Sequence, residues 1–268
     1  MRLYKAKRFE EAADAFRRVV SQFPGFAAAD RAHFLMAEAY SESGSPDKAR
    51  LAYEQFLTFF PKSELRPTVR FRLGSVRFVQ GDYMQAAVDF TGVLSGEVPK
   101  EMASASLYNL SLCRRMLGQT DEATALLERY RKEHPSGDER EADVAYQLGD
   151  IHDKGGRTQL AAEEFSRALA ARPRQDLAVE LHYRLGLCRE VLGDDQNAIS
   201  AYKQAVAAPD KADAFRVSAL VHCAGLYEKM GKYDMALSAY RDLIQNARDP
   251  ELVVAAKERV AEIETISR

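Results

Sequence analysis

Residues 181–209, LHYRLGLCREVLGDDQNAISAYKQAVAAP, contain every part of a two-helix hairpin that recurs along the whole chain. Leu185-Gly186 falls in a first helix, Gly193 marks a turn, and Ala198, Tyr202 and Ala205 share one face of a second helix that Pro209 closes. Outward from Ala198, equivalent alanines stand at Ala12, Ala49, Ala86, Ala123, Ala161 and Ala236, with gaps of 37, 37, 37, 38, 37 and 38 residues. Seven hairpins result. Such a period marks a repeat architecture, in which each hairpin buries its apolar face against its neighbours.

Five residues before each anchor is Gly44, Gly81, Gly118, Gly156, Gly193 or Gly231, with Lys7 the exception. Glycine there lets the first helix end in the left-handed conformation. Four residues after each anchor is Phe16, Tyr53, Phe90, Leu127, Phe165, Tyr202 or Tyr240. Thirteen and twelve residues before it are Met36-Ala37, Leu73-Gly74, Leu110-Ser111, Leu148-Gly149, Leu185-Gly186 and Cys223-Ala224. A large knob opposite a small residue lets the two helices of a hairpin interlock. Pro24, Pro61, Pro135 and Pro173 stand twelve residues past their anchors and stop the second helix.

These landmarks resemble the tetratricopeptide repeat: leucine-glycine in the first helix, glycine at the turn, alanine and an aromatic in the second helix, proline at the exit. The resemblance covers nearly the whole chain and implies an all-α fold, a right-handed superhelical α-solenoid of about seven hairpins with the first incomplete. The hairpins are expected at 1–25, 27–62, 66–98, 101–136, 139–174, 176–209 and 212–248, within one domain spanning 1–268, with a capping helix at 251–267. The period exceeds the family's usual value of about 34 residues. The extra residues, as in PKSE and PSGDE, are expected to lengthen the exits of the second helices or the loops after them.

Composition agrees with a folded helical protein. Hydrophobic residues make up 46% of the 268, Gly and Pro number 15 and 9, and no apolar run approaches the length needed to cross a bilayer. A formal net charge of -2 supplies no field that would gather nucleic acid or an acidic membrane. Three cysteines without paired spacing argue against a disulfide framework, and Cys113, Cys188 and Cys223 fall at apolar positions of first helices. No HExxH or phosphate-binding glycine loop is present. The nearest constellation, Asp150-Ile151-His152-Asp153 before Lys154-Gly155-Gly156, reads better as a polar surface and a turn than as a metal or catalytic site. The chain is therefore expected to be non-catalytic, without metal or cofactor.

The resemblance also places an interaction surface on the first helices. Fifteen residues before the anchors stand Phe34, Phe71, Tyr108, Tyr146, Tyr183 and Val221, five of six aromatic. In the family this row borders the groove, and it serves either as a ladder for a bound peptide or as packing between first helices. Other inward positions are Ser75, Phe78 and Val79, then Leu112, Arg115 and Met116, an apolar section. Further on they are Asp150, Asp153 and Lys154, then Leu187, Glu190 and Val191, an acidic section. Arg66, Arg70, Arg72 and Arg77 contrast with residues 138–164, where eight acids and three bases leave -5, an asymmetry that could orient an extended ligand. Eleven residues before the anchors are Glu38, Ser75, Leu112, Asp150, Leu187 and Gly225, without the asparagine of a carboxylate clamp.

The expected function is a scaffold or adaptor that binds a peptide segment or helix of another protein. Two alternatives stay open: a homo-oligomer built through the incomplete first repeat, and the recruitment domain of a longer enzyme. The long period and phrases such as FFPKSELRPTVRFRLGSVRFVQGDYMQAAVDF are similar to bacterial envelope repeat proteins of the outer-membrane-assembly lipoprotein type. That similarity implies a periplasmic setting, with a cytoplasmic one as the alternative.

Overall fold

The computed structural model describes residues 1–23, 25–134, 139–207, 209 and 214–266. Pro24, Pro135 and most of the PSGDE stretch lie outside the described residues. Fifteen helices and no strand are present among the described residues, and they pack in consecutive pairs. The chain forms two compact units, Met1–Glu133 and His134–Arg268.

In the first unit, α1 (Arg2–Lys5) and α2 (Phe9–Gln22) are followed by the pairs α3 (Ala29–Glu42) with α4 (Pro46–Phe59), α5 (Arg66–Val79) with α6 (Tyr83–Leu94), and α7 (Lys100–Met116) with α8 (Thr120–Glu133). Each helix packs on the next, and α5 also touches α7. In the second unit the pairs are α9 (Glu141–Lys154) with α10 (Thr158–Ala170), α11 (Gln175–Val191) with α12 (Asp195–Val206), and α13 (Ala214–Lys229) with α14 (Tyr233–Asn246). There α11 also touches α13, and a last helix, α15 (Pro250–Ile266), lies on α14 with Ala256 and Ile263 buried.

Every hairpin turns in the same way. The six glycines have φ between +66° and +82°, and Lys7 joins them at +57° without being glycine. The residue after each then donates its N–H to a carbonyl five positions back, as in Asp194 to Arg189 at 2.9 Å and Arg8 to Leu3 at 3.0 Å. These bonds satisfy carbonyls that a helix end would otherwise leave open. Lys7 makes the same turn, although a side chain in that conformation costs about 1–2 kcal/mol.

The core is the knob-and-gap pairing repeated. All seven anchor alanines are buried, as are Tyr53, Phe90, Leu127, Phe165, Tyr202 and Tyr240 four residues on. Where the small residue of the first helix is glycine, the large side chain faces it. A Cβ at Gly186 would lie 2.4 Å from the Tyr202 ring, one at Gly149 2.5 Å from Phe165, and one at Gly74 3.1 Å from Phe90. Burying each such ring stabilises its hairpin by about 2–3 kcal/mol, and only a missing methyl lets it in so closely.

The longer period has a visible cause at one junction. Helix α4 ends at Phe59 and α5 begins at Arg66, so Pro61 to Glu64 fall in the connection. Arg66 secures that connection by donating to the carbonyls of Leu57 at 2.6 Å and Phe60 at 3.4 Å, the last turn of α4.

Candidate interaction surface

The aromatic row on the first helices is half-buried throughout: Phe34, Phe71, Tyr108, Tyr146 and Tyr183 each pack inside the protein and keep one side partly open. Phe34 lies on the cluster of Met36, Tyr53 and Phe56. Phe71 meets Phe90 edge-on with ring centres 5.7 Å apart, and Tyr108 meets Tyr130 at 6.3 Å. The Tyr146 hydroxyl donates to Glu180 at 2.8 Å, and the Arg184 guanidinium stands 5.5 Å from its ring centre. Tyr183 is surrounded by Tyr202, Phe215 and His222 at 5.7–6.1 Å. Two residues along a helix turn a side chain by about 200°, so this position points away from the buried residue two places on, and Tyr146 and Tyr183 reach the next first helix at Glu180 and Phe215.

On α5 and α7 of the first unit the open positions are apolar. Val79 is 83% exposed and Met116 47%, both at the C-terminal ends of neighbouring first helices. Phe78 and Leu112 are half-buried one turn or less away, with Phe78 held edge-on against Tyr83 at 5.2 Å. Arg115 is half-buried beside them. Exposed apolar side chains in this number on adjoining helices cost solubility unless something covers them.

The acidic positions of the second unit are occupied differently. Asp150 is buried, and its carboxylate takes Lys154 at 2.8 Å and Arg184 of α11 at 2.9 Å. Burial alone would raise its pKa, but the hydrogen bonds and charges of Lys154 and Arg184 outweigh that and hold it below the usual carboxylate range. Asp150 thus fastens α9 to α11, while Asp153, one turn on, is exposed. Glu190 accepts from the Tyr202 hydroxyl at 2.7 Å and pairs with His222 at 2.9 Å, and Leu187 packs on the cluster around Tyr202.

Sequence reasoning missed this use of tyrosine. Tyr53 donates to Glu38, Tyr202 to Glu190, and Tyr240 to Glu228 at 2.5 Å. In each case a second-helix ring passes beneath the first helix, and its hydroxyl emerges at a carboxylate on the far side. The signal was available: where the large residue is Tyr instead of Phe, a Glu stands eight or eleven residues before the anchor. Three of the four arginines of the basic run are likewise held by the fold, with Arg66 on α4, Arg72 facing Glu38 at 3.4 Å, and Arg77 between Asp89 at 2.6 Å and Glu54 at 2.8 Å.

The three cysteines are buried and unpaired, and burial pushes their thiols up to about 11 or 12. Among the described residues no group of side chains is arranged to hold a metal ion, and no helix is long and apolar enough to cross a membrane.

His33 sits under the second helix α4, 1% exposed, with the rings of Phe56, Phe59 and Phe60 at 5.7–6.1 Å. Burial pulls its pKa down from 6.5 to about 4. The unfolded chain therefore binds the proton first on acidification. Stability that depends on a neutral His33 is complete above about pH 6.5 and is lost as the pH falls toward 4. Between pH 7 and pH 5 the loss is about 2 kcal/mol. Urea unfolding at the two pH values should show this increment in the wild type and not in His33→Leu; equal losses in both would refute it.

Four family models described as tetratricopeptide repeat match the sequence, over residues 3–66, 105–137, 140–213 and 219–254. No curated protein matches it in sequence. Among similar solved structures is the C-terminal part of a TPR repeat-containing protein from Cytophaga hutchinsonii, with a TM-score of 0.75 at 13% identity, over 94% of this chain and 95% of that one. A tetratricopeptide repeat protein from Parabacteroides merdae matches at 0.60 and 16% identity, over 88% and 87% of the two chains. YrrB, described as a TPR protein with an unusual peptide-binding site, matches at 0.57 and 16% identity, over 77% of this chain and 98% of its own. With a helical turn at every repeat, the knob-and-gap pairing throughout, and family matches in both units, the chain belongs to the tetratricopeptide repeat family.

Proposed function

We propose that this protein is an adaptor that binds a peptide segment or helix of another protein on its first-helix face, with the apolar ends of α5 and α7 as the anchor site. The family and fold generally mediate protein–protein interaction and are typically non-catalytic. The observation that carries the reading is the exposure of Val79 and Met116 on touching first helices, flanked by the half-buried Phe78 and Leu112. An aliphatic or aromatic side chain laid across them would lose its water on both sides, which is how interface anchors gain most of their affinity. Tyr108 and Phe71 extend the same surface along α5 and α7, and Arg115 supplies charge beside it. In the second unit the equivalent position on α11, Val191, is exposed as well, but on α9 it is Lys154, and Asp150 and Glu190 nearby already hold internal partners.

Affinity capture with the wild type and with Val79→Asp and Met116→Asp tests this. Both side chains are exposed, so the variants should fold, and partners of the wild type should be lost from each. Retention of a partner at full affinity by both variants would place binding elsewhere. Phe78→Asp is a less clean probe, since Phe78 also packs on Tyr83. The envelope setting belongs to this reading through the resemblance alone. Fractionation of cells expressing the full-length gene should find the protein in the periplasm or membrane, and a purely cytosolic pool would overturn that setting.

A further inference from the structure

The second helices of the first unit border a cleft that the function proposed above does not use. Helices α2 and α4 flank it and α3 forms its floor, with Val20, Met36, Tyr40, Leu51, Ala52 and Phe59 walling a cavity of about 280 Å³. Leu51 is 52% exposed and Phe59 62%, and Phe23 and Phe26, in the connection from α2 to α3, are exposed to the same degree. Four large apolar side chains thus stand in water around one pair of hairpins.

Hairpin geometry does not require this. The cleft at the matching register of the second unit, between α12 and α14, has about 310 Å³ and is lined by Gln196, Ser200, Lys203, Gln204 and Lys232 beside Ile199, Tyr227 and Met235. Both clefts rest on a tyrosine nine residues before an anchor, Tyr40 or Tyr227; the first also takes in Ser21, His33 and Gln55 but is walled mainly by apolar groups, whereas the second is walled mainly by amides, a hydroxyl and two lysines.

The charge at the apolar cleft is of one sign. Arg17 and Lys48 line it, and no acidic residue does. The Lys48 ammonium lies 5.8 Å from the centre of the Tyr40 ring and has no carboxylate partner among the described residues. Arg17 pairs with Asp14 at 2.9 Å, but both side chains are more than half exposed, and such a pair exchanges readily for another carboxylate.

We infer that this cleft docks an acidic segment of another protein, which inserts one bulky apolar side chain between α2 and α4 and sets carboxylates against Lys48 and Arg17. The apolar wall supplies the affinity and the two cations reject basic partners. The docking surface is separate from the first-helix face, so a partner could occupy each independently.

The test uses the whole chain and a synthetic probe, a blocked nonapeptide of four glutamates, one leucine and four glutamates, titrated while the methyl resonances of Val20, Met36 and Leu51 are followed by NMR. These methyls should shift together and saturate. Exchanging the peptide leucine for alanine, or making Leu51→Asp in the protein, should weaken binding about tenfold or more. Lys48→Glu should weaken it about threefold or more, and replacing the peptide glutamates by lysines should abolish it. Met116→Asp should leave it unchanged, which separates this outcome from failure of the first-helix site. Leu51 and Lys48 are both exposed, so the variants should fold, which circular dichroism checks. The inference is overturned by no saturation at about 2 mM peptide, by equal binding of the alanine peptide, or by shifts that survive Leu51→Asp. It is overturned equally if sedimentation shows a dimer that Leu51→Asp dissolves, for the occupant would then be a second copy.

Discussion

Gly186→Ala is expected to destabilise the second unit by about 3 kcal/mol, a cost at the upper end of overpacking. The new methyl would lie 2.4 Å from the Tyr202 ring, which cannot retreat because Ala198 and Ala205 enclose it at full burial and its hydroxyl is bound to Glu190. Gly149→Ala, with its methyl 2.5 Å from Phe165, should cost nearly as much. Gly74→Ala meets Phe90 at 3.1 Å, and a small shift of that ring should limit the loss to about 1 kcal/mol. Gly225 supplies the control. It lies inside α13 with nothing within 4 Å of a new methyl, so Gly225→Ala should stabilise by about 0.5–1 kcal/mol through helix propensity alone. Chemical unfolding of the four variants should reproduce that order. Equal effects at Gly186 and Gly225 would mean that the knob-and-gap pairing does not hold the hairpins together.

Asp150→Ala carries the other large effect. Its carboxylate is buried and joins α9 to Arg184 of α11, so removal breaks that tie and leaves the half-buried guanidinium to Glu180 alone, at 2.8 Å, at a cost of about 2 kcal/mol. The same carboxylate predicts a direction in pH. Its folded pKa lies below the ordinary value, so its contribution is fully present above about pH 4 and is lost as the pH falls through the folded pKa. In unfolding experiments the wild type should therefore weaken below pH 4 more steeply than Asp150→Ala. Parallel curves would show that the ion pair contributes nothing net.

The fold was legible because its causes are local. A positive φ selects glycine at the turn, a ring selects a small residue opposite, and each rule repeats about every 37 residues, so exceptions such as Lys7 do not blur the period. The surface was only partly legible. Periodicity put Phe78, Leu112 and Met116 on first helices, and the structure leaves Met116 open, with Phe78 and Leu112 partly so. It could not tell that Asp150, Asp153 and Glu190, alike as acids in the sequence, differ in what they touch. Asp150 meets Arg184 thirty-four residues away and Glu190 meets His222 thirty-two away, and such contacts arise only when one hairpin is stacked on the next. The cleft beside Leu51 escaped notice for a related reason. Its walls come from three helices, and each contributes only scattered apolar residues that look like ordinary surface.

The tyrosine-to-glutamate bonds bear on how such a protein could change partners. Tyr53, Tyr202 and Tyr240 belong to the interior, yet each binds a carboxylate on the first helix, Glu38, Glu190 or Glu228. A mutation from Tyr to Phe in the interior would keep the packing while removing one of the bonds on that acid, leaving Glu38 to Arg72, Glu190 to His222 and Glu228 to Arg259. Drift within the core can therefore alter recognition without touching a surface residue. The two positions should change together when repeats diverge, and a designer transplanting a repeat would need to move the pair as one unit.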